Sequence, residues 1–212
     1  VADEYGRSWD HDNLYLTGHG FQTGEAVRYN VVAGGEPIGG LTPGGDYYAI
    51  NVGPDELQLA VAGAAFDPGS VLDLVNNRVT TAHGFADGDK VIYRNGGGAD
   101  IQGLTDKGVY YIGNVSGNTF RVFNSRADAL ANTNAIDLQS VGGGTQHRFD
   151  PQLALTPAKS APANRNAIHT LAKLTDLPVA GLVDGVTYYV QWDAIAAADQ
   201  ANRFQLSDRN GA

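Results

Sequence analysis

The sequence predicts an all-β protein built of tandem small antiparallel β-barrels or sandwiches, with little helix. Three observations predict it. Glycine fills 28 of 212 positions, about twice the usual share of roughly 7%, which favours many turns and short strands. Apolar residues alternate with period two in short runs of aromatic and β-branched types, bounded by Gly, Asn and Asp. The chain also repeats itself, and that changes the meaning of every local motif.

Asn13 to Tyr29 returns as Asn77 to Tyr93, and the shared skeleton is His-Gly-Phe, two residues, Gly, an acid, and then Val and Tyr. His19-Gly20-Phe21 and His83-Gly84-Phe85 are the matched bends. A second block follows each copy. Gly40-Leu41 stands six residues before Tyr47-Tyr48, Gly103-Leu104 six before Tyr110-Tyr111, and Gly181-Leu182 six before Tyr188-Tyr189. The domains read from this are 1–75, 76–151 and a degenerate, truncated third copy at 152–212. The last lacks the His-Gly-Phe bend, and Thr156 to Asn166 reads as a Pro- and Ala-rich linker.

Each element follows from its pattern. After the Tyr-Tyr pair comes Ala49, Ile112 or Val190, apolar in every copy and of the same parity as the first tyrosine. Tyr47, Tyr110 and Tyr188 are therefore expected in the core, with Leu41, Leu104 and Leu182 as repeat-core partners. Tyr48, Tyr111 and Tyr189 face outward or pack between repeats. In the next strand Leu57/Leu59, Phe120/Val122 and Phe204/Leu206 face inward, with Gln58, Arg121 and Gln205 outward. Arg126 to Ala131 and Ala194 to Ala201 suit short helices. Gly96-Gly97-Gly98 and Gly142-Gly143-Gly144 read as hairpin tips, since neither leads into Lys-Ser/Thr or a helix start. A barrel is the preferred closure because it protects strand edges in so small a unit.

Composition bounds the function. Fourteen basic residues against twenty-three acidic ones give a net charge of −9, which argues against nucleic acid or an anionic membrane as partner. The absence of cysteine excludes disulfides, thiolate metal sites and cysteine nucleophiles. No apolar run approaches the roughly 18 residues of a membrane span, so no membrane insertion is expected. The missing Met and the start at Val1 read as a processed chain or a piece of a longer one, ending inside a repeat.

The combination His-Gly-Phe-x-x-Gly-(Asp/Glu)-x-Val-x-Tyr, then Gly-Leu-x-x-Gly and Tyr-Tyr, resembles the tandem repeats of very large secreted bacterial surface proteins, giant adhesins and haemolysin-type repeat proteins among them. The resemblance covers most of residues 12–149 and the second half of the third copy. It implies an extracellular, cell-surface β-rich stalk or adhesion module. The Gly-Gly-x-Gly-x-Asp calcium array of such proteins is absent, so its chemistry is not carried over.

Candidate chemistry is sparse. His19 and His83, with His11, His147 or His169, could hold a metal only if several converged; a structural role at the bend, bonding to backbone, is the stronger reading. Glu25, Asp87 and Asp89 are the candidate calcium ligands, although an acid beside a glycine turn more often caps it. No other cofactor is expected, and no catalytic motif appears. Trp9, Trp192, Tyr48, Tyr111 and Tyr189 are the aromatic platform on which a sugar could stack. The function expected is a non-catalytic structural or adhesive module of a surface protein or fibre, polymerising by strand complementation. Its partners are then other copies of itself or neighbouring repeats, with a carbohydrate-binding module as the alternative.

Overall fold

A computed structural model describes residues 12–31, 35–155 and 168–176, together with the strands at 189–191 and 205–207. The chain divides into two units, Val1–Thr175 and Asp176–Ala212. The described residues are all-β, apart from two short helices. Trp9, His11, Leu182, Tyr188, Trp192 and the linker at 156–166 lie outside the described residues, as does the helix expected at 194–201.

The first sheet begins with β1 (Leu14–Tyr15), β2 (Ala26–Val31), β3 (Asp46–Gly53) and β4 (Glu56–Ala60). The second comprises β5 (Leu72–Asp73), β6 (Arg78–Thr80), β7 (Lys90–Arg94), β8 (Val109–Ser116), β9 (Thr119–Phe123) and β10 (Arg148–Pro151). A further strand, β11 (His169–Lys173), does not start a sheet of its own. It pairs antiparallel with β2, giving the order β1-β4-β3-β2-β11 in the first sheet and β10-β7-β8-β9-β6-β5 in the second. β11 thus takes beside β2 the place that β10 takes beside β7, with Leu171 opposite Tyr29 as Phe149 is opposite Tyr93.

In chain order the second sheet is therefore nested inside the first. Two crossing segments make the join. Ala60 to Phe66 leaves β4 and runs antiparallel to the stretch around β10, with bridges Ala60↔Gln152 and Phe66↔His147. Val61 N–H donates to Pro151 O at 3.1 Å, and Leu153 N–H donates back to Leu59 O at 2.7 Å. Phe66 enters the second core, while Leu153 and Leu155 pack on the first. Gly63 permits the crossing because a Cβ there would lie 2.0 Å from Phe149 O.

The parity expected from the sequence decides what each face does. Tyr47 and Ala49 on β3, and Tyr110 and Ile112 on β8, point into the two cores with Leu57, Leu59, Phe120 and Val122. Burying each large side chain contributes about 1.5–3 kcal/mol. Phe120 on β9 and Phe149 on β10 have two strands between them, which in a flat sheet would put them about 14 Å apart. Their ring centroids are 5.6 Å apart, so the sheet curls around its core. The opposite faces meet in a third cluster, where Ile50 and Ala60 of the first sheet pack on Ile92 of the second. Gln58, expected to face outward, does point away from its own core but is buried there, accepting from Lys90 Nζ at 2.7 Å.

The helices are capped as their sequences suggest. In α1 (Pro68–Val71), Asp67 caps the first turn by accepting from Gly69 N–H. In α2 (Arg126–Ala131), the helix expected there, Ser125 accepts from Asp128 N–H and Asn132 ends it in the left-handed region. The glycine triplets are not simple tips. They lie against each other: a Cβ on Gly98 would sit 1.8 Å from Gly143 O, and one on Gly142 would sit 2.5 Å from Ala99 O. In the second unit β12 (Tyr189–Gln191) pairs with β13 (Gln205–Ser207), setting Val190 opposite Leu206. The same register sets Ala49 opposite Leu59 and Ile112 opposite Val122.

Candidate functional site

The matched histidines are committed to backbone. His19 Nδ1 accepts from Phe21 N–H at 3.0 Å, and its other nitrogen, then the protonated one, lies 3.0 Å from Gly53 O. His83 Nδ1 accepts from Phe85 N–H at 3.0 Å, and its ring stacks on Phe85 and meets Phe120 edge-on. Its Nε2 is buried without a hydrogen-bond partner among the described residues. Burial holds the His83 imidazole below its ordinary pKa, because the charged form would lose its hydration.

The acids named as calcium candidates are likewise committed to backbone amides. Glu25 accepts from Gln22 N–H at 2.9 Å and also meets Lys173 Nζ at 3.1 Å. The turn amide first, and then Lys173, hold the Glu25 carboxyl below its usual range. Asp89 accepts from Ala86 N–H at 2.8 Å, the matched contact, and Asp87 accepts from Val115 N–H at 2.8 Å. No group of three or more His, Asp or Glu side chains gathers as a metal site among the described residues.

Two tyrosines that sequence reading treated only as part of the skeleton organise the closing strands. Tyr93 OH accepts from Ile101 N–H at 2.9 Å and donates to His147 Nδ1 at 2.7 Å. His147 Nε2–H then donates to Gly143 O at 2.9 Å, which fixes the tautomer and ties the second glycine triplet to β10. Burial pushes the Tyr93 phenol up to about 12, so it stays a donor. Tyr29 is placed similarly, accepting from Ile38 N–H at 3.0 Å with its hydroxyl 2.8 Å from His169 Nδ1. The sequence signal was present: His-x-apolar occurs at 147–149 and again at 169–171.

The aromatic candidates separate. Tyr48 is half-buried between the sheets, with the guanidinium groups of Arg94 and Arg148 at 5.0 and 5.1 Å from its ring centre. Beside it Asp150 is fully buried, accepting from Gly63 N–H at 2.8 Å and Arg148 Nε at 2.7 Å, and burial raises its pKa. Arg94 and Arg148 carry no repeat signal, and nothing in the sequence marked them. Tyr111, at the position matching Tyr48, instead lines a half-open cavity of about 480 Å³ with Asp12, Asp89, Lys90, Arg126 and Gln152. This cavity brings two sequence candidates together, Tyr111 and Asp89. Lys90 Nζ lies over the Tyr111 ring, 6.0 Å from its centre, and an aromatic ring set among polar groups suits a polar ring carrying hydroxyls. Tyr189 lies on β12, and its side chain is outside the described atoms, as are Trp9 and Trp192.

No protein family, curated protein or solved structure matches this chain.

Proposed function

We propose that the chain is a non-catalytic structural or adhesive module of a secreted bacterial surface protein or extracellular fibre, acting at the cell surface. One observation carries this reading: the residues that recur between copies serve the scaffold. His19 and His83 hold bends, Tyr29 and Tyr93 hold closing strands, and Glu25 and Asp89 cap turns. Tyr47 and Tyr110 accept from Thr42 and Thr105 N–H at the start of the Gly-Leu block. A repeat whose signature is its architecture is selected for being a building unit. Its partners are then other copies or neighbouring repeats. Beads coated with the chain should be retained under flow on a bacterial or host-cell layer, or on beads bearing the same chain. Retention no greater than that of albumin-coated beads on all three would overturn the reading.

The Tyr111 cavity supports the second reading, a carbohydrate-binding module. A glycan array should then show binding that Tyr111→Ala removes. An array without signal sinks this second reading and leaves the first standing.

A further inference from the structure

We propose that His169–Lys173 is a transferable closing strand, and that a second copy of this chain inserts its own residues 169–173 beside β2. The proposal rests on the structural-module reading and identifies the segment and groove through which copies would join.

The groove reads a short motif. Five main-chain pairs run from His169↔Val31 to Lys173↔Val27. Three side chains add specificity: His169 on Tyr29 OH, Leu171 against the first core, and Lys173 on Glu25. The same chain contains a second instance of this reading, with His147 on Tyr93 OH and Phe149 in the second core. Two strands of different sequence are thus accepted by equivalent grooves on the strength of His-x-apolar. Recognition through main-chain pairing plus alternate side chains is the chemistry of strand addition.

The strand is also remote from its groove in sequence. His169 lies 140 residues beyond Tyr29, and twelve residues, 156–167, separate Leu155 from Ile168. A strand carried on the same chain meets its groove at an effective concentration with which free copies must compete. Insertion within one chain and insertion between chains make identical contacts, so concentration decides between them. Until β11 arrives, β2 presents an unpaired edge to any strand of the right pattern. Reciprocal exchange gives closed dimers, and serial exchange gives chains.

The absence of cysteine makes the test direct. Asn30 and Thr170 are exposed and face each other across the β2–β11 pair. One batch carries Asn30→Cys and the other Thr170→Cys, each checked for its native β-sheet circular dichroism. The two are mixed, unfolded, refolded together at micromolar or near-millimolar concentration, and oxidised. The expected result is a disulfide between residues 30 and 170 of different chains, identified by peptide mass, roughly tenfold more abundant at the higher concentration. Adding Leu171→Pro to the Thr170→Cys chain should remove it, because proline cannot donate to the ladder and interrupts the apolar contact. A 30–170 link no more frequent than 30–30 and 170–170 links, or unaffected by Leu171→Pro, overturns the proposal. Either result leaves bead retention untouched, so failure of strand exchange and failure of the module reading are distinguishable.

Discussion

The two sheets solve one closing problem with unequal means. In the second, β10 follows within its own copy and brings a buried phenylalanine, a buried histidine and a buried aspartate, Phe149, His147 and Asp150. In the first, β11 arrives only after the whole second sheet has been made. It brings Leu171, His169 and Lys173, none of them fully buried. The tyrosine–histidine contact recurs, but its surroundings differ. Net hydrogen-bond value depends on what is stranded when the bond is lost, and stranding costs more in a dry core than at a half-wet edge. The second closure therefore holds its sheet shut, and the first leaves a joint that can be remade.

Substitutions in the two closing strands should expose this inequality. Phe149→Ala removes a ring that touches Phe66, Tyr93 and Phe120, and it should cost about 4 kcal/mol in urea unfolding. Leu171→Ala at the half-buried counterpart should cost about 1–2 kcal/mol. Equal losses would abolish the distinction. Next come the tyrosine hydroxyls. Tyr93→Phe strands Ile101 N–H and His147 in a buried site and should cost about 2 kcal/mol, whereas Tyr29→Phe should cost about 1 kcal/mol.

The matched histidine bends give a comparison in pH. His83, whose Nε2 lacks the carbonyl that His19 has, is held below its ordinary pKa by burial. An unfolded imidazole takes up a proton near pH 6.5 and the folded one only lower. His83 thus contributes stability that is present above about pH 6.5 and is lost as pH falls through its folded value. His83→Asn keeps an acceptor for Phe85 N–H without a titrating group. Its midpoint relative to the parent should improve on going from about pH 7.5 to about pH 5; a constant difference would show that His83 is not the acid-sensitive group. The smallest effect concerns the Gly-Leu turns. Gly44 has φ +78°, and Lys107 at the matched position takes φ +64°. Nothing lies within 4 Å of a Cβ at Gly44, so Gly44→Lys should cost only the left-handed penalty of about 1 kcal/mol by thermal melting.

Much of this was legible because strand parity and turn chemistry are local. Ala49 and Ile112 marked the inward face, the Arg126 to Ala131 pattern marked α2, and His19 and His83 bond to backbone at their bends. Nesting was not legible, since antiparallel partners 140 residues apart leave no periodic trace; only the second His-x-apolar hinted at β11. Tyr48 and Tyr111 looked alike because their copies match. Only the packing of one sheet on the other puts Arg94 and Arg148 over Tyr48 and leaves Tyr111 on a cavity.

The nested order also sets a load path. β1 and β11 are the opposite edges of one sheet, and four successive antiparallel steps make them run parallel. Tension applied before Leu14 and after Lys173 pulls at opposite ends of that sheet, so every strand pair between the edges is loaded in shear, β1–β4 through two residue pairs and β2–β11 through five. While they hold, the second sheet carries no tension. Once β11 slips, the pull passes to the adjoining crossing segments at Val61 and Pro151 and peels them apart pair by pair. The molecule would yield in two stages, with the better-packed sheet kept in reserve behind the remakeable one.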